Sequence, residues 1–250
     1  MKILAISSFK GGTAKTSNSL HIASALAKFH KKKVLLIDFD SQANLTAGLG
    51  FDPDTHDSLA SVLQNEKTID EVILKTEIKN LDLIPADSFL ERVEVTGELA
   101  NDRYSHEKLK NILQNLSYDF VIIDTPPSLS WLTESALIAA NECIISATPE
   151  FYSIKGLERL KLFMEQIHSR HPFNVTGVIL SFWNERGKSN KAFVKLIENT
   201  FPEKLCKTKL RRCIEISDAS IHGKPVFDTS PESRGSEDYR KITRELLKRM

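Results

Sequence analysis

The sequence predicts an α/β fold, a doubly wound and mostly parallel sheet flanked by helices, in one domain over residues 1–250. Three observations carry that prediction. Short runs rich in Val and Ile recur along the chain, and they are continuous rather than alternating, as strands buried on both faces are. Helical periods separate several of these runs. The first run leads through a Gly-Gly loop directly into a helical pattern, the strand-loop-helix order of a doubly wound unit.

The expected strands are Ile3 to Ile6, Val34 to Ile37, Leu81 to Ile84, Phe120 to Ile123, Ile144 to Ala147 and Val175 to Leu180. Between them, Leu20, Ala23, Leu26 and Ala27 share one helical face, and Leu109, Ile112, Leu113 and Leu116 share another. Residues 51–106, which include the polar stretch "GELANDRY", have a weaker pattern and leave element boundaries open there. No repeat, low-complexity tract or Pro/Gly linker divides the chain.

Composition narrows the function classes. Lys and Arg number 34 against 33 Asp and Glu, so no global field marks a nucleic-acid or membrane-surface protein, and such a partner requires a local patch. Cys143, Cys206 and Cys213 show no C-x-x-C spacing, which argues against a disulfide framework or zinc site and fits a reducing cytoplasm. The N-terminal apolar run is too short for a signal-peptide core, and no stretch reaches the roughly 18 apolar residues of a membrane helix.

The loop "SSFKGGTAKTS", residues 7–17, ends in Lys-Thr like a phosphate-binding loop but lacks the two framework glycines of G-x-x-x-x-G-K-[ST] at Phe9 and Ala14. Its strand-before, helix-after context still suits the role, because free backbone N–H groups and the helix dipole attract phosphate oxygens. Gly11, Gly12, Thr13, Ala14, Lys15, Thr16 and Ser17 are therefore the expected nucleotide cradle, with Lys15 on the β- and γ-phosphates and the Thr16 hydroxyl on Mg²⁺. A positive φ at Ala14 would cost about 1–2 kcal/mol. Directly before the helix, the residue is expected near helical φ/ψ, where alanine costs nothing.

Two carboxylates, Asp38 and Asp40, close the run "VLLIDFD" on the same side of the pleat, next to the expected loop. Asp124 closes "YDFVIID" as a Walker B strand does, its carboxylate approaching Mg²⁺ directly or through water. Thr16, Asp38 and Asp124 form the expected metal set. The T-P-P after Asp124 fixes φ twice and makes a stiff loop able to respond to a γ-phosphate.

K-G-G-x-x-K-T with Lys10 just before the glycines resembles the deviant Walker A motif of the ParA/MinD ATPases, and the likeness extends over nearly the whole chain. That resemblance implies ATP and Mg²⁺ as cofactors and an ATP-bound homodimer in which Lys10 reaches the partner's nucleotide. It makes Asp40 the group that orients the attacking water, with Gln42 and Asn44 in place and Ser41 where the family has proline. "DTPPSLS" resembles the family's switch. Lys10, Lys15 and Asp40 are the implied catalytic residues.

"SDASIHGKPVFDTSPESRGSEDY" resembles the late motif of the chromosome- and plasmid-partition branch, and Glu150 and Phe151 match its Glu-Tyr pair near the dimer interface. The branch implies nonspecific double-stranded DNA held at Arg186 and Arg212, with Lys188, Lys204, Lys207, Lys209 and Arg211 thickening the patch and Glu215 where many relatives have another arginine. It also implies a hydrolysis-stimulating ParB-like partner and a cytoplasmic, nucleoid-associated location. Asn184, and by resemblance the loop that includes Arg212, are the expected adenine contacts. Two alternatives stay open: a membrane-cycling MinD-like ATPase and a nucleotide-dependent scaffold with vestigial hydrolysis. In "DYRKITRELLKRM", Ile242, Leu246, Leu247 and Met250 fall near one face, which a last helix is expected to pack on the sheet rather than on a membrane.

Overall fold

The structure, a computed structural model, describes residues 1–95, 104–150, 153–187 and 190–250. Each expected strand forms: β1 (Lys2–Ser7), β2 (Val34–Asp38), β4 (Leu81–Ile84), β5 (Phe120–Asp124), β6 (Glu142–Ala147) and β7 (Asn174–Leu180). A further strand, β3 (Leu74–Lys75), is two residues long, too short to carry a hydrophobic pattern, and pairs antiparallel with β4. Among the described residues the sheet order is β3-β4-β2-β5-β1-β6-β7, with the other pairs parallel.

β1 lies between β5 and β6, where the crossover direction changes, and strand carboxyl ends at such a point open a ligand crevice. Ile6 pairs with Asp124 and Asp38 pairs with Asp124, so three strand ends converge there. The interiors of β1, β2, β5 and β6 are buried, which is why their sequences read as unbroken apolar runs.

The helix after the loop, α1 (Lys15–His30), buries Leu20, Ala23, Leu26 and Ala27 as its spacing predicts, and Asn18, Ser19, His21 and Ser24 as well. It is covered on more than one side because the C-terminal helix Arg234–Leu247 packs against it and seats Tyr239, Ile242 and Leu246 in the same core cluster as Leu20, Ile22 and Leu26. Leu247 and Met250 pack at the margin of that cluster. The apolar stripe of the last helix is thus used inside the fold. Among the described residues no helix is long and apolar enough to cross a membrane.

The segment with the weak pattern holds short pieces, including helices Leu59–Leu63 and Phe89–Val95, while most of "GELANDRY" lies outside the described residues. The helix Lys108–Leu113 buries Leu109 and Leu113 but ends before Leu116. Cys143, Cys206 and Cys213 are free and buried.

Candidate nucleotide site

The loop leaves β1 after Ser7 and enters α1 at Lys15. Gly12 has φ +72, and a β-carbon there would meet nothing within 4 Å, so backbone conformation rather than space calls for glycine. Ala14 corrects the sequence expectation. It caps α1 at φ 66, ψ 29, in the left-handed region, with no side-chain cap. Alanine therefore carries about 1–2 kcal/mol of strain there.

Lys15 is buried, with Asp124 and Asp40 as its carboxylate neighbours. Burial lowers its pKa, and the two carboxylates oppose that shift. Asp124 accepts from the Ser19 hydroxyl at 2.7 Å and from the Thr16 side chain. Its other oxygen, Oδ2, is buried with no protein partner. Burial pushes Asp124 up to about 6 against those bonds and Lys15. An unpartnered carboxylate oxygen beside a threonine hydroxyl is the kind of oxygen donor set a magnesium ion takes, so Thr16 and Asp124 fit that ion.

Asp38 accepts from the Thr46 N–H at 2.9 Å and hydroxyl at 2.8 Å on one oxygen, and from the Asp40 N–H at 3.2 Å on the other. Burial, then the charge of Asp124, pushes it up to about 7. Asp40 lies beyond the last residue of β2, so the pleat does not place it. It instead opens a turn in which its carbonyl accepts from Ala43 N–H at 2.9 Å and its carboxylate from Gln42 N–H at 3.1 Å. Asp40 is 9% exposed, at the rim of the same pocket of charge.

The Thr-Pro-Pro loop after β5 is tied to β1 by Thr125 Oγ1, which donates to the Ile6 carbonyl at 2.8 Å. Pro127 abuts Gly11, with 3.7 Å between its Cβ and a β-carbon placed on the glycine. Lys10 forms an ion pair with Glu150 of the same chain. Phe9 occupies the space over Gly156, where any β-carbon would overlap its ring. Phe151 lies outside the described residues.

The expected DNA contacts divide. Arg186, Lys207 and Arg212 are exposed, and Lys188 lies outside the described residues. Arg211 and Lys209 have partners within the chain. Arg211 Nε and Nη2 grip Asp238 at 2.9 and 2.7 Å, and Nη2 also reaches Glu237 at 2.8 Å. Lys209 turns its ammonium onto the Cys206 carbonyl, and burial lowers its pKa. Glu215 accepts from the Cys213 thiol at 2.8 Å.

The segment Lys204–Leu210 hydrogen-bonds along the β7 edge, and the parallel bridge from Trp183 to Arg211 sets Asn184 and Arg212 at neighbouring positions. Asn184 accepts the Arg186 N–H on its side-chain Oδ1 at 3.1 Å.

Sequence reasoning missed the polar side chains that hold this site: Thr46, Ser19, Asn18, Ser146 and Tyr239. A signal existed for two of them, since Asn18 and Ser19 interrupt an otherwise apolar helical face, and buried polar groups need partners.

A strand, a glycine loop with a buried lysine at the helix entrance, and carboxylates at two neighbouring strand ends define a P-loop protein of the deviant Walker A class. Residues 1–176 match the AAA domain family. Over 249 residues the chain is 67% identical to a ParA family protein of Chlamydia muridarum (strain MoPn / Nigg), covering 99% of this chain and 98% of that one. It is 34% identical over 254 residues to the chromosome partitioning protein ParA of Caulobacter vibrioides, covering 100% and 95%. The septum site-determining protein MinD of Pyrococcus horikoshii, complexed with Mg-ADP, superposes with a TM-score of 0.79 at 25% identity over 98% and 95% of the two chains. The chain belongs to the ParA family.

Proposed function

We propose that this chain is a Mg²⁺-dependent ATPase of partition type, which dimerises around ATP, binds nonspecific double-stranded DNA in that state, and is reset by hydrolysis under stimulation by a ParB-like partner. It would work in the cytoplasm, on the nucleoid. The observation that carries the reading is the buried Lys15 side chain at the entrance of α1, with the charges of Asp124 and Asp40 acting on it. A lysine is desolvated this way where it is to meet phosphate oxygens in a low-dielectric site.

In this reading Gly11 to Ser17 cradle the phosphates, and Thr16 and Asp124, with Asp38 behind them, hold the metal. Mg²⁺, when bound, neutralises charge on the phosphate oxygens. Asp40 orients the attacking water, and its N–H and carboxylate bonds to Asp38 and Gln42 fix where it points. Lys10 must leave Glu150 to reach the nucleotide of a second copy, so the ion pair is exchanged rather than added on dimerisation. Arg186, Lys207 and Arg212, with Lys188, offer phosphate contacts, and Asn184 and Arg212 border the base. The MinD of Pyrococcus horikoshii complexed with Mg-ADP and the partitioning ParA of Caulobacter vibrioides support this reading.

A nucleotide-dependent scaffold with vestigial hydrolysis is favoured by one observation, the strained backbone at Ala14. Single-turnover hydrolysis with Mg²⁺, DNA and a candidate partner separates the two. Phosphate release is expected, and Asp40→Ala is expected to bind ATP and accumulate as a dimer with turnover reduced by about 100-fold or more. No magnesium-dependent release under any condition would leave only the scaffold.

A further inference from the structure

Strained backbone persists only where its surroundings over-determine it, and the surroundings of Ala14 are specific. The Thr13 carbonyl, on the peptide that sets the Ala14 φ, accepts the hydroxyl proton of Ser146 on β6. The Ala14 carbonyl accepts from the Asn18 N–H at 2.8 Å. The Asn18 side chain then closes the loop, with Nδ2 donating to Ser146 Oγ at 2.8 Å and to Ser181 Oγ at 3.4 Å. Its Oδ1 accepts from the Tyr239 hydroxyl at 3.1 Å.

The sense of this chain is fixed by donor counting. Ser146 has one hydroxyl proton and spends it on Thr13, so the amide of Asn18 must present its NH₂ to Ser146 and its oxygen to Tyr239. Tyr239 is fully buried, stacked on His21 with ring centroids 4.5 Å apart, and its pKa is raised well above the ordinary value, so it stays a donor. Asn18, Ser146 and Ser181 are fully buried too, so a lost bond leaves its partner unsatisfied in a low-dielectric interior.

We infer that Asn18, Ser146 and Tyr239 are positioning residues for the phosphate loop: their hydrogen-bond chain holds the left-handed turn at Ala14 and couples it to the C-terminal helix. A glycine at this position would hold the turn unaided. An alanine needs the clamp, and without it the loop relaxes and must be restored at the expense of nucleotide affinity. The inference rests on the nucleotide reading above only for its second readout.

The test is a double-mutant cycle between residue 14 and the clamp, read in two ways. The first needs no ligand: the ¹³Cα and ¹³Cβ chemical shifts of Ala14 report its φ, and Ser146→Ala is expected to move them out of the left-handed range. The second is the affinity for a fluorescent ATP analogue with Mg²⁺. Ser146→Ala is expected to weaken it by about tenfold with Ala14 present and by less than twofold in an Ala14→Gly background. Tyr239→Phe, which keeps the ring and its stacking, is expected to weaken it about threefold, again only with Ala14. Unmoved Ala14 shifts in Ser146→Ala, or equal losses of affinity in both backgrounds, overturn the inference. If the shifts move as expected while the unmutated protein binds no nucleotide, the clamp stands and the nucleotide reading falls.

Discussion

At the carboxyl end of the sheet, Lys15, Asp38, Asp40 and Asp124 are buried together, whereas along the edge beyond β7, Arg186, Lys207 and Arg212 stand in solvent. The buried charges are bound by a dense set of hydrogen bonds, from Thr46 to Asp38 and from Ser19 and Thr16 to Asp124. The edge charges that do have partners are drawn inward, Arg211 onto Asp238 and Lys209 onto the Cys206 carbonyl. Desolvation makes an unpaired charge costly, so burial enforces partners and fixes geometry. Exposure enforces nothing, and a surface lysine in a sequence gives no indication of whether it faces solvent or a carbonyl.

The largest expected effect on ligand binding lies at the buried end. Lys15→Ala removes the cation on which the charges of Asp124 and Asp40 act, and ATP affinity measured by calorimetry should fall at least about 100-fold, roughly 2.7 kcal/mol. Near-normal affinity would mean that this cluster is structural rather than functional.

The same burial predicts an acid sensitivity behind the loop. His21 is neutral in the fold, with Nδ1 bonded to the Ser17 carbonyl at 2.7 Å and Nε2 accepting from the Val226 N–H at 3.1 Å. Burial lowers its pKa from 6.5 to about 4. Because the folded value lies below the unfolded one, the unfolded chain takes up a proton first as pH falls. The stability His21 contributes is therefore complete above pH 6.5 and is lost on descending to about 4, a loss of about 3 kcal/mol. Urea unfolding at several pH values should show this slope, and His21→Gln should flatten it; an unchanged slope would remove His21 as its source.

At the edge the comparison can be broken in either direction. Arg211→Ala strips the bidentate partner from the nearly buried Asp238 and should cost roughly 2 kcal/mol of stability, less than a fully buried pair because Arg211 is part exposed. Its DNA affinity should change little once the protein is folded. Arg186→Ala and Lys207→Ala should do the reverse, leaving stability unchanged while each lowers the affinity of the ATP-loaded protein for duplex DNA several-fold and reduces the salt slope by about one. Loss of DNA binding in Arg211→Ala at unchanged stability would show that the inward geometry does not describe the working surface.

The sequence by itself determined the strand runs, because parallel strands buried on both faces leave long unbroken apolar segments, and β1, β2, β5, β6 and β7 match those runs. It also placed Lys15 and Thr16 at the entrance of α1 and Asp38 and Asp124 at strand ends, since local pattern positions each of them. The two-residue β3 had no period to read. Tertiary structure alone decided the φ of Ala14, because a bond from Ser146, 132 positions later in the numbering, holds the peptide before it. It alone decided that Tyr239 reaches Asn18 and that Arg211 faces Asp238. These contacts join residues far apart in the chain, and linear spacing carries no information about which distant polar group will meet which in the dry interior.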